Sequence, residues 1–400
     1  MFVECSLSVS LSTYAKRSEE LEMDWITVKS LVPSVGKKPD FENCLVVFPQ
    51  LELAKTTPQE FRYHQEGDVW THTKMVVNAL VEMADYQRLT RSDQEVVFLA
   101  ALLHDVAKCS TTVIDETTGV IGQPGHSKKG AIDARIALWD AGMPFGQREQ
   151  VCRLIQVHQL PFFAFEGSRS GKSAEYLVRK LSTELDLHLL SMLAEADMRG
   201  RICEDAGRVL DNIELFRELA REEGCYFKPR SFADAHTRVS YFRGADVHPD
   251  YPLFQEVGSK VIVMCGLPAS GKNTWVEKHY PKLPVVSFDD SRAALGLKHG
   301  QNEGMAAHHA IDSAKALLRT KTPFVWNATH LSQQMRDKTL DLLYAYNAEV
   351  ELVYLERPRL ELLRRNDRRD TSLTNKALQA MLVKWELPVP TEAHKVVYVV

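Results

Sequence analysis

The stretch 260-KVIVMCGLPASGKNTWVEKHY-280 constrains this chain more than any other. A run of apolar residues stops at Gly266 and a polar-faced segment opens at Lys272, so a buried strand must turn sharply into a helix N-terminus. Such a junction presents backbone N–H groups and the positive end of a helix dipole, which together hold an anion. Gly266 and Gly271 allow the tight path, Ser270 lies inside the loop, and Lys272 can reach terminal phosphates. The spacing nearly matches GxxxxGK[ST], but Asn273 stands where a hydroxyl is expected. Thr274 offers one a residue later, and the Asn273 amide oxygen can also meet Mg²⁺, directly or through water. ATP with Mg²⁺ is the expected ligand pair, with the metal contact open between these two residues.

After the loop, the apolar segments VVSF, FVWNAT, VELVYLE and VVYVV alternate with helical patterns at 303–319, 332–345, the arginine-rich segment and 374–384. That alternation predicts an α/β unit with a parallel sheet covered on both faces. The carboxyl edge of such a sheet, where ligands bind, receives 286-VSFDDSR-292 and 326-WNATHLSQQMR-336. A carboxylate there can take the proton of an attacking hydroxyl, and an arginine three residues on can hold that acceptor's phosphate. The segment 357-RPRLELLRRNDRRD-370 carries six arginines. Alone it would be a solvated helix face; in this position it is expected to close over the transferring phosphate.

GLPASGKNTW, FDDSR, NATHLSQQMR and LLRRNDRR, in this order across 260–400, resemble the landmarks of the P-loop 5′-OH polynucleotide kinases. The resemblance implies that Lys272 and Thr274 bind ATP phosphates, with Gly266, Ser270, Gly271 and Asn273 completing the loop. Asp289 is implied as general base on an RNA 5′-OH, Arg292 as the contact to the adjacent 3′ phosphate, and Arg365 and Arg369 as lid residues. Thr329, His330 and Arg336 would lie on the acceptor side, where Ala328 replaces the acid of the phage enzymes. Asp290 is expected to cap the next helix.

Upstream, residues from about 70 to 225 show apolar spacing of three and four and no convincing strand alternation, so an all-α domain is expected. Within it, WTHTKMV, LLHDVAK, GHSKKG, LIQVHQL and EADMRGR supply His72, His104, Asp105, His126, His158 and Asp197. Each would more often be an ordinary core or surface residue, but the set H…HD…H…H…D is hard to explain by packing. Imidazoles mixed with carboxylates favour borderline to hard divalent ions such as Mn²⁺, Ni²⁺, Co²⁺, Zn²⁺ or Fe²⁺. A bound ion lowers the pKa of its water, which points to hydrolysis of a phosphomonoester or cyclic phosphodiester. Lys108, one turn after Asp105, can meet a phosphate oxygen or stand in solvent; His64 stays undecided.

The stretches EGDVWTHTKMV, ALLHDVAK, GHSKKGA and EADMRGR resemble the HD phosphohydrolases, and in particular the HD domain of bacterial tRNA nucleotidyltransferases, over about 60–205. That resemblance implies His72, His104, Asp105 and Asp197 as one metal site, with His126 and His158 serving a second ion or facing phosphate. An HD domain followed by a polynucleotide-kinase-like domain resembles the bacterial HD-Pnk family of RNA end-healing enzymes. It implies removal of a 2′ or 3′ terminal phosphate, or of a 2′,3′-cyclic phosphate, and phosphorylation of the 5′-OH of RNA or DNA ends, which a separate RNA ligase then joins. Two other classes fit the same residues: an HD nucleotidase fused to a nucleoside or small-metabolite kinase, and a sensor that binds ATP and metal without turnover.

The expected layout is an N-terminal extension (1–50), the HD domain (51–225), a connector (226–258) and the kinase domain (259–400). Residues 1–22 are expected to be a loose tail, with MDWITVKSLVP packing as a helix and NCLVVF as an extended piece. A net charge of −4 gives no bulk attraction for nucleic acid, so contact must come from local basic patches. No run of about 18 apolar residues occurs, so no membrane partner is expected. Seven cysteines without a CxxC pair, and an early Glu without a basic leader, point to a reducing cytoplasm.

Overall fold

The computed structural model describes residues 23–166, 171–298, 300–368 and 373–400. The expected tail at 1–22 and the lid residue Arg369 lie outside these. The N-terminal half is helical, built on α1 (Val69–Glu82), α2 (Arg91–Leu103), α3 (His126–Asp140), α4 (Phe145–Val157) and α5 (Leu187–Arg199). Side-chain caps set several starts: Asp68 accepts the Thr71 N–H before α1, Thr90 that of Asp93 before α2, and Asp186 those of His188 and Leu189 before α5. From Gln94 to Leu103, α2 is buried all round, so it forms the axis about which the other helices pack. The only strands here among the described residues are the pair Val113–Ile114 and Ile121–Gly122.

Residues 25–48 join this helical core instead of standing apart. NCLVVF is not the extended piece expected: Phe41–Val47 is a helix, because Asp40 accepts the Asn43 N–H and thereby caps it. The connector also contains a helix, α6 (Ala235–Phe242), started by Asp234.

The C-terminal half contains β1 (Lys260–Cys265), α7 (Lys272–His279), β2 (Val285–Ser287), α8 (Phe288–Ala294), α9 (Glu303–Arg319), β3 (Phe324–Asn327), α10 (Gln333–Tyr344), β4 (Glu349–Leu355), α11 (Arg359–Asp367), α12 (Asn375–Ala380) and β5 (Lys395–Val399). Its five strands are parallel in the order β2-β3-β1-β4-β5. β1 is central, Val263 lying between Trp326 and Leu352, and from Val261 onward it is fully buried. Apolar layers cover both faces of the sheet. The strand order reverses beside β1, so the loop after it opens at the crevice where such sheets bind ligands. α12 continues into a 3-10 turn, Met381–Lys384, in place of one longer helix. Among the described residues no helix is long and apolar enough to cross a membrane.

Candidate functional site

In the helical half, α1 brings His72, the end of α2 brings His104 and Asp105, the start of α3 brings His126, the end of α4 brings His158, and α5 brings Asp197. His72, His104, His158 and Asp197 are fully buried, and Asp105 is 2% exposed. α1 and α5 cross closely because residue 200 is glycine: a Cβ there would lie 2.7 Å from the Val76 backbone nitrogen.

The hydrogen bonds fix which imidazole nitrogen faces inward. His72 Nδ1 donates to Gly200 O (3.0 Å), His104 Nδ1 to Ala101 O (2.7 Å), His126 Nδ1 to Gln123 O (2.8 Å) and His158 Nδ1 to Ile155 O (2.7 Å). A carbonyl only accepts, so each Nδ1 carries a proton and each ring turns its Nε2 toward the centre. His72 and His104 Nε2 are 3.3 Å apart, His72 Nε2 is 3.1 Å from Asp197 Oδ1, and His104 Nε2 is 3.1 Å from Asp105 Oδ2. His126 Nε2 reaches within 3.4 Å of Asp105 Oδ1, and His158 Nε2 is buried without a hydrogen-bond partner. Acceptors this close repel unless a proton or a cation sits between them. Donor atoms around an ion bonded at about 2.1 Å lie about 3.0 Å apart in octahedral and about 3.4 Å apart in tetrahedral geometry, so the donor set fits a divalent ion. His72, His104 and Asp197 form one such group, and His104, Asp105 and His158 another.

The charges fit as well. Burial alone would raise both carboxyls, but His104 and Lys108 beside Asp105, and Arg201 and His72 beside Asp197, hold them well below the usual range. Burial pushes His158 down to about 3, so its ring stays neutral. Lys108 is buried, with Nζ 2.7 Å from Asp105 Oδ2 and bonded to Gln59 Oε1 at 2.7 Å, so it is not the solvated lysine that its sequence also allowed.

Three supporting groups escaped the sequence. Arg201 grips Asp197 with two bonds of 3.0 and 2.8 Å. Glu66 Oε1 lies 3.0 Å from His72 Nδ1 and 2.7 Å from His64 Nδ1, which places His64 behind the donor set. Gln59 holds Lys108. Arg201 falls four residues after Asp197, a spacing that could have revealed it; Gln59 and Glu66 lie in an irregular loop with no such signal.

In the α/β half, Gly266 has φ 134° and a Cβ there would lie 2.3 Å from Leu355 O, so only glycine fits between β1 and β4. Lys272 is folded back with Nζ 2.9 Å from both Gly266 O and Leu267 O, inside the loop it would share with phosphate. Ser270 Oγ is buried without a hydrogen-bond partner. Asn327, at the end of β3, donates to Asn273 Oδ1 (2.8 Å), so the oxygen considered for Mg²⁺ is already engaged, while Thr274 is exposed. α8 begins directly after β2: Ser287 Oγ accepts the Asp290 N–H (2.9 Å) and donates to its carboxylate (2.7 Å). Asp290 is thus a cap, and Asp289 projects with 79% of its side chain exposed, paired with Arg292, which also binds Glu303 at 2.7 Å. Arg365 Nη1 lies 3.4 Å from where a Gly271 Cβ would stand, over the loop.

The acceptor-side set needs correction. Thr329 lies at the edge of the loop, where its carbonyl accepts the Gly266 N–H. His330 is instead folded beneath β1, with Nδ1 donating to Met264 O and Nε2 3.0 Å from Thr339 Oγ1, and burial lowers its pKa to about 4. Arg336 is 1% exposed, bidentate to Glu392 (2.6 and 2.9 Å) and bonded to the carbonyls of His330, Glu386 and Leu387. All its directed donors are spent inside the protein, so neither residue is free to touch an acceptor. Arg336→Ala is expected to cost about 3–5 kcal/mol in chemical denaturation, because it strands the buried Glu392. An acceptor contact would instead leave stability unchanged and raise the acceptor KM.

Comparison with known proteins agrees with this division. The HD domain profile matches residues 69–197, and an AAA domain profile matches residues 261–388. Among curated proteins, the chain is similar to the multifunctional CCA protein of Pasteurella multocida (strain Pm70), 28% identical over 163 residues, which is 39% of this chain and 36% of that protein. The match spans little more than a third of that relative's length. Among solved structures, a gluconokinase from Sinorhizobium meliloti 1021 aligns with a TM-score of 0.25 at 18% identity, over 36% of this chain and 83% of that one. A helical HD domain is followed here by a P-loop kinase-like domain with a parallel sheet.

Proposed function

We propose that the chain repairs broken RNA ends, the HD domain removing a 2′ or 3′ terminal phosphate and the P-loop domain moving the ATP γ-phosphate onto a 5′-OH. The observation that carries this reading is the carboxyl edge of the sheet: exposed Asp289 with Arg292 beside it, two strands from β1 and so about 10 Å from the phosphate loop. A base and a phosphate-binding cation at that distance suit an acceptor bearing both a hydroxyl and a neighbouring phosphodiester. The similarity to a multifunctional CCA protein supports a polynucleotide substrate.

In the kinase-like site, loop N–H groups cradle the ATP phosphates and Lys272 leaves its carbonyls to meet them, with Mg²⁺ as counterion. Asp289 takes the 5′-OH proton, Arg292 holds the adjacent phosphate, and Arg365 closes from above. In the HD site, His72, His104, Asp105 and Asp197 would hold one divalent ion and His126 and His158 a second. When bound, such an ion lowers the pKa of water for attack on phosphorus and neutralises phosphate charge. Lys108 steadies the Asp105 carboxylate and stands ready for a phosphate oxygen.

The burial of His330 and Arg336 removes two of four expected acceptor contacts, and that favours a second reading, a small-metabolite kinase. Transfer of label from ATP decides between them. The proposal expects a 5′-OH oligoribonucleotide to be phosphorylated far faster than a nucleoside or a sugar acid; the reverse preference would establish the second reading.

A further inference from the structure

The strap from the sheet to the lid helix α11 is only Glu356, Arg357 and Pro358, and the HD domain grips it at both ends. At its start, Arg148 of α4 makes a buried two-bond pair with Glu356, 2.7 and 2.8 Å long. At its end, Asp140, the last residue of α3, pairs with Arg359, the first of α11. Between them Trp139 packs edge-on against Trp385, ring centroids 4.8 Å apart, in a cluster that includes Leu267 of the phosphate loop and Leu362 of the lid helix.

α3 and α4 form one antiparallel hairpin. Its open end carries His126 and His158 into the metal centre, and its closed end seats the lid, about 20 Å away by the rise of a 15-residue helix. We propose that Asp140 and Arg148 are positioning residues for the kinase-like site: they set the angle at which α11 leaves β4, and so hold Arg365 over Gly271. A kinase needs its lid cations in register with the phosphates, and here that register is supplied by the other domain. The inference rests on α11 being a lid over bound nucleotide, but not on the identity of the acceptor.

The Asp140–Arg359 pair is the one to test, because both side chains are about 30% exposed and the fold can tolerate their exchange. Asp140→Arg and Arg359→Asp should each weaken ATP binding by about tenfold, the scale of losing one hydrogen bond to a charged phosphate. The double variant, with the charges exchanged, should regain most of that loss. Affinity is read with a fluorescent ATP analogue in the full-length protein, so failure of RNA as acceptor leaves the test intact. Hydrolysis of a chromogenic phosphoester by the HD domain should stay within twofold in all three, separating lid seating from general unfolding. Single variants that bind ATP like wild type would overturn the proposal, and so would a double variant no better than the singles.

Discussion

Asp105→Ala is expected to eliminate phosphoester hydrolysis by the HD domain while ATP-dependent phosphorylation persists. Asp105 faces His104, His126 and Lys108 at once, so its loss removes the anion about which one side of the centre is arranged. The buried Lys108 ammonium would then sit against imidazoles with no carboxylate, and a divalent ion would meet repulsion where it now meets charge. Removing a partner behind a ligand costs about 10–100-fold in metal affinity or activity, so loss of a direct ligand should exceed about 100-fold. Metal content after gel filtration gives a readout apart from turnover: wild type should retain added Mn²⁺ or Ni²⁺ and the variant should not. Retention of metal and activity by the variant would make Asp105 a structural acid.

Lys272→Ala should have the mirror effect, with phosphoryl transfer falling by about 10²–10³-fold, the usual cost of deleting one donor aimed at developing charge. Lys272 Nζ now rests on two loop carbonyls, a position it can leave for phosphate oxygens by side-chain rotation alone. Its removal leaves the strand-loop-helix junction and the HD centre in place, so phosphoester hydrolysis and the thermal midpoint should change little. Loss of both activities together would instead show that the substitution disrupts the whole fold.

Much of this organisation was legible because the chemistry demands residue types at short spacing. The phosphate loop needs glycines at both ends of the turn between β1 and Lys272, here Gly266 and Gly271, and the HD centre needs adjacent histidine and aspartate at a helix end. Continuous apolar runs marked the buried strands equally well. Partners far apart in sequence were not legible. Arg336 looked like a cation for an acceptor because nothing near it betrays Glu392, 56 residues on. His330 looked like an acceptor contact because its burial depends on Met264 of a neighbouring strand. Arg148 and Glu356, 208 residues apart, gave no sign that one domain holds the other's lid strap. NCLVVF carries strand-forming residues, yet one capping aspartate and a helical core to pack on decide its form.

The most direct test of RNA end repair is fragmentation mass spectrometry, which assigns each phosphate to its end, of a single RNA oligonucleotide with a 5′-OH and a 3′-phosphate, incubated with the full-length protein, ATP, Mg²⁺ and Mn²⁺. The expected product has gained a phosphate at its 5′ end and lost one at its 3′ end. An RNA unchanged at both ends, in a reaction where the same protein phosphorylates a small metabolite or hydrolyses free nucleotides, would contradict it.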